Sequence, residues 1–213
     1  MNAPRNAPAP AEKDESLRVP RDETLREPRD VTALDLPAAE LSERTQAYFD
    51  ICREKLGMVP NVLAAYTFDE AKLQAFTGMY NDLMLADSPL SKLQREMVAV
   101  TVSSANRCWY CLVAHGAAVR ELSGSAELGE RLVINWRTAE LPADERAMLA
   151  FAHKLTVTPQ EMEEGDRQAL RDAGWSERAI MDIASVAAFF NMTNRVAAAI
   201  EMEPNAEYHA MGR

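Results

Sequence analysis

The sequence has few cysteines, few glycines and no long apolar run. Its 213 residues include three cysteines, three histidines and eight glycines, and they carry a formal net charge of −10. Three cysteines are too few for a disulfide-stapled scaffold, and so acidic a chain lacks the basic face of nucleic-acid-binding proteins. No apolar stretch approaches the length of a membrane helix or resembles a signal peptide. We therefore expect a cytoplasmic protein that has no nucleic-acid or membrane partner.

Residues 1–37 differ in composition from the rest of the chain. They contain six of the eleven prolines, many charges and no aromatic residue, so they cannot bury enough apolar surface to offset the entropy of ordering. We predict a flexible N-terminal tail, or an extended arm that lies on a neighbouring subunit. The rest of the chain is then predicted to form one domain over residues 38–203 and a C-terminal tail over residues 204–213.

After residue 37 the apolar residues recur at helical spacing almost throughout. Helices are predicted over residues 38–56 and 69–84, and a last long helix is predicted to begin after Ser176. Two further helix starts are predicted at Ser88, which precedes a proline, and at residues 158–161, which have the form of a capping box. Because no hairpin turn separates alternating apolar runs, the predicted fold class is all-α.

One segment disputes the helical pattern. Residues 97–102, Met-Val-Ala-Val-Thr-Val, are rich in β-branched residues and have the character of a buried strand. A strand followed by a Cys-x-x-Cys helix would be a thioredoxin-like arrangement. We favour a helix, because no other segment offers convincing partner strands and burial overrides weak propensity in packed α-bundles.

A faint internal repeat supports the helical interpretation. Residues 91–115 align with residues 176–200 at an offset of 85 positions. In both segments a serine and a polar turn precede an apolar helix, and an asparagine-containing break precedes a second helix. The overlay predicts a duplicated helical core in which only the first copy carries chemically reactive residues.

The most informative motif is a Cys-x-x-Cys pair, Cys108 and Cys111, which is followed by His115 and preceded by Glu96. Cys111 and His115 are i, i+4 neighbours on one helix face, and first-turn amides favour a thiolate at Cys108 if a helix begins there. An antiparallel return of the chain could place Glu96 beside His115 and fix the tautomer of the imidazole. The four residues therefore predict catalytic thiol chemistry with a nucleophile, a base and an orienting carboxylate.

Two other interpretations of this motif stay open. Buried helical cysteines are often inert core residues, as we predict for Cys52, and a histidine on an apolar helix face is often structural. Two thiolates, an imidazole and a carboxylate could also complete a tetrahedral zinc shell, although structural zinc sites more often join two separated ligand pairs. The redox interpretation itself requires no haem, flavin or metal cofactor.

The spacing of the four residues, Glu-x11-Cys-x2-Cys-x3-His, resembles the alkylhydroperoxidase D-like (AhpD-like) branch of the carboxymuconolactone decarboxylase superfamily. More closely, the chain looks like the peroxidase-related subgroup of that branch. Two further segments also look like this subgroup: Gly-Met-Val-Pro-Asn at residues 57–61 and Phe-Asn-Met-Thr-Asn-Arg at residues 190–195. The resemblance covers roughly residues 35–203 of the chain.

The resemblance implies an all-helical, AhpD-like fold with a duplicated core, assembled as a homo-oligomer that is either a trimer or a hexamer. It also implies reduction of a hydroperoxide substrate, with Cys111 as the peroxidatic thiol and Cys108 as the resolving thiol. Glu96 and His115 would form the proton relay, and the electrons would come from an external dithiol reductant. Tyr110 stands where some relatives have a histidine, which leaves the implied relay one base shorter.

Two functions of other classes remain as alternatives. The first is a lyase or isomerase that uses Glu96 and His115 as acid and base, with the cysteines secondary. The second is a non-enzymatic helical oligomer that binds zinc or senses redox state. The decarboxylase branch generally lacks the cysteine pair, so the resemblance favours the peroxidase function.

Overall fold

The structure, a computed structural model, describes residues 31–213 of the chain; most of the predicted N-terminal tail or arm lies outside these residues. The described residues form helices and connecting loops, with no strand among them, so the all-α prediction is confirmed. In chain order the α-helices of residues 31–213 are α1 Glu43–Leu56, α2 Asn61–Ala65, α3 Glu70–Leu85, α4 Lys92–Asn106, α5 Trp109–Ser123, α6 Ala126–Asn135, α7 Ala143–Val157, α8 Glu164–Asp172 and α9 Glu177–Ala199. Short 3-10 turns occupy Trp136–Thr138, Pro159–Glu161 and Ala206–His209.

Among residues 31–213, four α-helices start after a capping serine, namely Ser42, Ser91, Ser125 and Ser176, and two of the predicted helix starts are displaced. Ser176 caps α9 as predicted. α4 begins after Ser91 and not at Ser88, because Ser91 and Gln94 cap each other's backbone reciprocally; the Ser88 hydroxyl instead donates to Asp182 at 2.7 Å. Residues 158–161 form only a 3-10 turn, and the capping box that opens α8 lies at Glu163.

α4 is the central element of the fold, and it contains the strand-like segment 97–102. This helix packs against α5, α6, α7 and α9. Residues 97–102 are all fully buried, so the tertiary environment supplies enough apolar contact to outweigh the low helix propensity of the valines. The prediction of a helix at this segment is confirmed.

The two halves of the internal repeat differ at their predicted breaks. α4 ends at Asn106, Arg107 adopts a left-handed conformation with φ 53°, and α5 starts after Cys108. The break predicted in the second half is wrong, because α9 runs without interruption from Glu177 to Ala199. The two asparagines that the overlay aligns are nevertheless in direct contact: Asn106 donates to the Asn191 side-chain oxygen at 3.1 Å.

The residues after α9 fold back over α5. Arg120, which is 5% exposed, donates from Nη2 to the Tyr208 carbonyl and from Nε to the Met211 carbonyl, each at 2.8 Å. The backbone of residues 31–33 also bonds to this region, through Ala33 N–H to the Ile200 carbonyl and Val31 carbonyl to residue 203. Among residues 31–213, none of the helices has the length and apolar character needed to cross a bilayer.

Candidate active site

The site is built where α4 turns into α5. The left-handed Arg107 reverses the chain, and the Cys108 N–H donates to the Ser103 carbonyl at 3.0 Å. Cys108 occupies the N-cap position of α5, in the extended conformation that N-cap residues adopt. Its sulfur therefore lies beside the free amides of the first helical turn, where negative charge is stabilised. The prediction that a helix opens at Cys108 is confirmed.

The two motif thiols are free, buried and hydrogen-bonded to each other. Cys108 and Cys111 are 2% and 3% exposed, and both are reduced in this structure. They belong to a small apolar cluster that is separate from the main core. The other buried members of this cluster are Met58, Tyr110, Ala114, Ala117, Ala197, Met202 and Tyr208. Residues from the GMVPN segment and from the C-terminus therefore cover the dithiol.

Because of the hydrogen bond between the sulfurs, the two thiols have very different pKa values. Donation from the Cys111 thiol, together with the Cys111 backbone N–H and the nearby His115, lowers the pKa of Cys108 from 9.0 to about 7 against the opposing effect of burial. The pKa of Cys111 is strongly raised, first because its proton is held in the bond to Cys108 and then because of burial. The dithiol thus loses one proton near neutral pH and retains the second.

Glu96 and His115 form a buried pair next to the dithiol. His115 Nδ1 lies 2.6 Å from Glu96 Oε2, and both side chains are only about a tenth exposed, at 12% and 10%. A carboxylate can only accept, so the imidazole donates from Nδ1 and the pair fixes the histidine tautomer. The Phe190 ring packs edge-on against the imidazole at 4.5 Å between ring centroids and restricts its rotation.

The structure brings the four predicted residues into one region and leaves other candidates outside it. Cys52 lies in the main apolar core, as predicted. Tyr110 does not face the Glu96–His115 pair: its hydroxyl accepts from the Val62 N–H at 3.1 Å and donates to Tyr208.

Sequence reasoning missed two polar residues that touch the dithiol. Asn194 and Ser103 lie beside the Cys111 sulfur, and both lower the pKa of that thiol against the larger opposing effects of Cys108 and burial. Asn194 lies in the 190–195 segment that carried part of the family resemblance. The resemblance pointed to this segment but assigned no role to Asn194.

No metal site is formed within residues 31–213. No group of three or more histidine, cysteine or carboxylate side chains in that part of the chain has an arrangement that could hold a metal ion. The Glu96 carboxylate is directed to the imidazole, and the two sulfurs are directed to each other. The zinc alternative gains no support from this geometry.

Comparison with known proteins places the chain in a family. A family model described as the carboxymuconolactone decarboxylase family matches residues 70–153. No curated protein matched the chain significantly. An uncharacterized peroxidase-related protein from Silicibacter sp. TM1040 is 62% identical, with a TM-score of 0.86, over 89% of this chain and 100% of its own. An uncharacterized peroxidase-related protein from Ralstonia eutropha JMP134, described as an alkylhydroperoxidase AhpD core, is 35% identical, with a TM-score of 0.82, over 87% of this chain and 98% of its own.

A more distant similarity concerns the fold alone. The debrominase Bmp8 is 22% identical, with a TM-score of 0.68, over 79% of this chain and 90% of its own. The fold and the site define an all-helical protein with a buried dithiol at a helix start. The chain belongs to the AhpD-like, peroxidase-related group of the carboxymuconolactone decarboxylase family.

Proposed function

We propose that the protein is a thiol-dependent hydroperoxide reductase. The observation that carries this proposal is the buried Cys108–Cys111 dithiol at the start of α5, beside the 2.6 Å Glu96–His115 pair; the pKa of Cys108 there is lowered to about 7. A thiolate is the form that reacts with peroxides, and a proton donor at the same place serves the leaving oxygen.

The reaction uses the two electrons of the dithiol. The Cys111 thiolate attacks one peroxide oxygen, an S–O bond forms, the O–O bond breaks, and the alkoxide leaves with a proton from the His115–Glu96 pair as an alcohol. Cys108 then attacks the sulfenic acid, an S–S bond forms, and the hydroxide leaves with the remaining thiol proton as water. An external dithiol reduces the disulfide and completes the cycle.

The choice of Cys111 as the attacking sulfur needs one internal proton transfer. In the resting pair the charge lies on Cys108 and the proton on Cys111. Transfer of that proton along the existing hydrogen bond moves the charge to Cys111 without any further ionisation. Cys111 is also one helical turn from His115 on the same face of α5, so the attacking sulfur and the proton donor are adjacent.

The test is a single-turnover reaction with an organic hydroperoxide. Fully reduced protein is freed of reductant, mixed with stoichiometric peroxide, and analysed by peptide mapping of free and disulfide-bonded thiols. We expect the two motif thiols to disappear into a Cys108–Cys111 disulfide while Cys52 stays reduced. The Cys52→Ala variant is the matched control and should react like the wild type. If both motif thiols persist after exposure to peroxide, the proposal is wrong.

The attacking sulfur is identified with the single-cysteine variants. In Cys108→Ser the sulfenic acid should accumulate on Cys111 and be trapped there by dimedone. Trapping on Cys108 in Cys111→Ser, with no reaction in Cys108→Ser, would instead make Cys108 the nucleophile and reverse the two roles.

The Glu96–His115 pair also favours a second candidate, an acid–base lyase or isomerase. A buried carboxylate–imidazole pair is a general acid–base arrangement in its own right. The double variant Cys108→Ser/Cys111→Ser separates the two functions, because an acid–base enzyme would keep its activity and a dithiol peroxidase would lose it completely.

A further inference from the structure

A line of buried and partly buried side-chain hydrogen bonds runs from α7 through α9 to α4, close to the turn that carries the dithiol. At its outer end Asn191 Nδ2 donates to the Ala187 carbonyl and to the Thr156 hydroxyl, each at 3.0 Å. A carbonyl can only accept, and the Thr156 hydroxyl donates its own proton to the Ala152 carbonyl at 2.8 Å. The orientation of the Asn191 amide is therefore fixed, and its oxygen faces Asn106.

Asn106 in turn fixes the orientation of the Asn194 amide. Its amide nitrogen has two protons, one donated to the Asn191 oxygen at 3.1 Å and one to the Asn194 oxygen at 2.9 Å. With its oxygen occupied, Asn194 presents its nitrogen on the opposite side, where it donates to the Ser103 hydroxyl at 3.0 Å. Ser103 accepts there because its proton goes to the Ala99 carbonyl at 2.7 Å.

Ser103 also accepts the Cys108 N–H on its carbonyl at 3.0 Å, so the Asn194 amide lies at the turn that carries the dithiol, and it lowers the pKa of Cys111. Asn194 is 1% exposed and Ser103 is fully buried, so no water competes for this amide. The Asn194 amide is neutral, so its capacity to donate does not change with pH. The titratable groups of the neighbourhood are Cys108, Tyr110, Cys111 and His115 on α5, Glu96 on α4, and Tyr208 in the C-terminal segment.

We propose that Asn194 is a further catalytic residue, which donates its amide proton to the Cys111 sulfur while that sulfur carries negative charge, and that Asn106 is the positioning residue that orients this amide. The inference rests on the proposed dithiol function. It explains how charge can move from Cys108, beside the helix amides, to Cys111 inside the apolar cluster. A donor that is already oriented and buried stabilises the charge without reorganisation during the reaction.

The test measures the Cys111 thiol alone. In a Cys52→Ala/Cys108→Ser background, the ultraviolet absorbance of the thiolate is titrated against pH, and the midpoint gives the pKa of Cys111. Adding Asn194→Leu, which keeps the size of the side chain and removes the donor, should raise that pKa by about one unit. The matched control is Ser104→Ala, which removes the side-chain hydrogen bond from α4 to the Val133 carbonyl without touching the asparagine network, and it should leave the pKa unchanged.

Two more variants guard the test against loss of folding. Ser103→Ala is a small change within α4 that removes the acceptor holding the Asn194 amide in place, so it should also raise the pKa of Cys111. Asn106→Leu should do so as well, because the Asn194 amide is then no longer oriented. Circular dichroism and melting curves establish that each variant is folded.

The pH profile of sulfenic acid formation at Cys111 provides a second readout, whose midpoint should move with the titration. An unchanged Cys111 pKa in folded Asn194→Leu and Ser103→Ala would overturn the proposal, even if the wild type reduces peroxide. A raised pKa supports the role of Asn194 at the sulfur even if the wild type does not reduce peroxide. The experiments can therefore contradict either proposal without contradicting the other.

Discussion

Replacing Cys111 tests whether the hydrogen bond between the sulfurs is the main cause of the low pKa of Cys108. Cys111→Ala removes the side-chain donor and keeps the backbone N–H of residue 111, whereas Cys111→Ser keeps a hydroxyl donor in nearly the same place. A hydrogen bond to a charged group contributes about 1.5–3 kcal/mol, or about one to two pKa units. We therefore expect the pKa of Cys108 to rise from about 7 by that amount in the alanine variant and by much less in the serine variant.

The midpoint of the pH profile is a better assay than the rate at a single pH. A rise of two units lowers the thiolate fraction at pH 7 about 50-fold, but the more basic thiolate is about eightfold more nucleophilic, given a Brønsted coefficient near 0.45. The net loss of rate is then only about sixfold, while the midpoint moves by the full shift. Iodoacetamide labelling of Cys108 across pH, followed by mass spectrometry, gives this midpoint. Equal midpoints in the alanine and serine variants would refute the role of the hydrogen bond.

Two other perturbations have defined outcomes. The pKa of Cys108 is lowered from 9.0 to about 7 in the folded state. The free energy of unfolding of the reduced protein should therefore increase by on the order of 2 kcal/mol as pH rises from about 7 to about 9. This gain is lost as pH falls through about 7, and above about 9 the trend reverses because Cys111 keeps a proton that the unfolded chain releases. Urea unfolding of the wild type and of Cys108→Ser/Cys111→Ser measures the difference. Glu96→Gln should slow peroxide-dependent disulfide formation at least about tenfold by weakening the orientation of His115, whereas the exposed Glu121→Gln should have no effect; stopped-flow rates in which the two variants match would contradict the relay.

The fold could be predicted from the sequence wherever a pattern has one physical interpretation. Helical spacing and the capping Ser176 define α9 because an N-cap serine and an apolar stripe act locally. Ser88 and Ser91 are three residues apart, and only the reciprocal bond with Gln94 selects the second. Residues 97–102 could not be assigned from propensity, because much of the burial of α4 comes from α7 and α9, which lie far away in the sequence.

Some residues of the candidate site could likewise be predicted from local sequence, and others could not. The contact of Cys111 with Cys108 and the proximity of His115 follow from i, i+3 and i, i+4 spacing on one helix, and the turn at residues 106–107 brings Glu96 back to them. Asn194 and Tyr208 could not be placed, because they reach the dithiol through the packing of α9 and the C-terminal segment on α5. Local spacing predicted the reactive groups, and tertiary packing determined what surrounds them.

The unbroken course of α9 explains why only one half of the repeat can carry this chemistry. At the overlay position of Cys108 the second half has Thr193, which lies inside α9, where backbone amides are used by the helix itself. A thiolate there would lack the free first-turn amides that Cys108 has at the start of α5. The same continuity is what carries Asn191 and Asn194, one turn apart, against Asn106. The first half of the repeat thus supplies the helix start and the thiols, and the unbroken second half supplies the oriented amide beneath them.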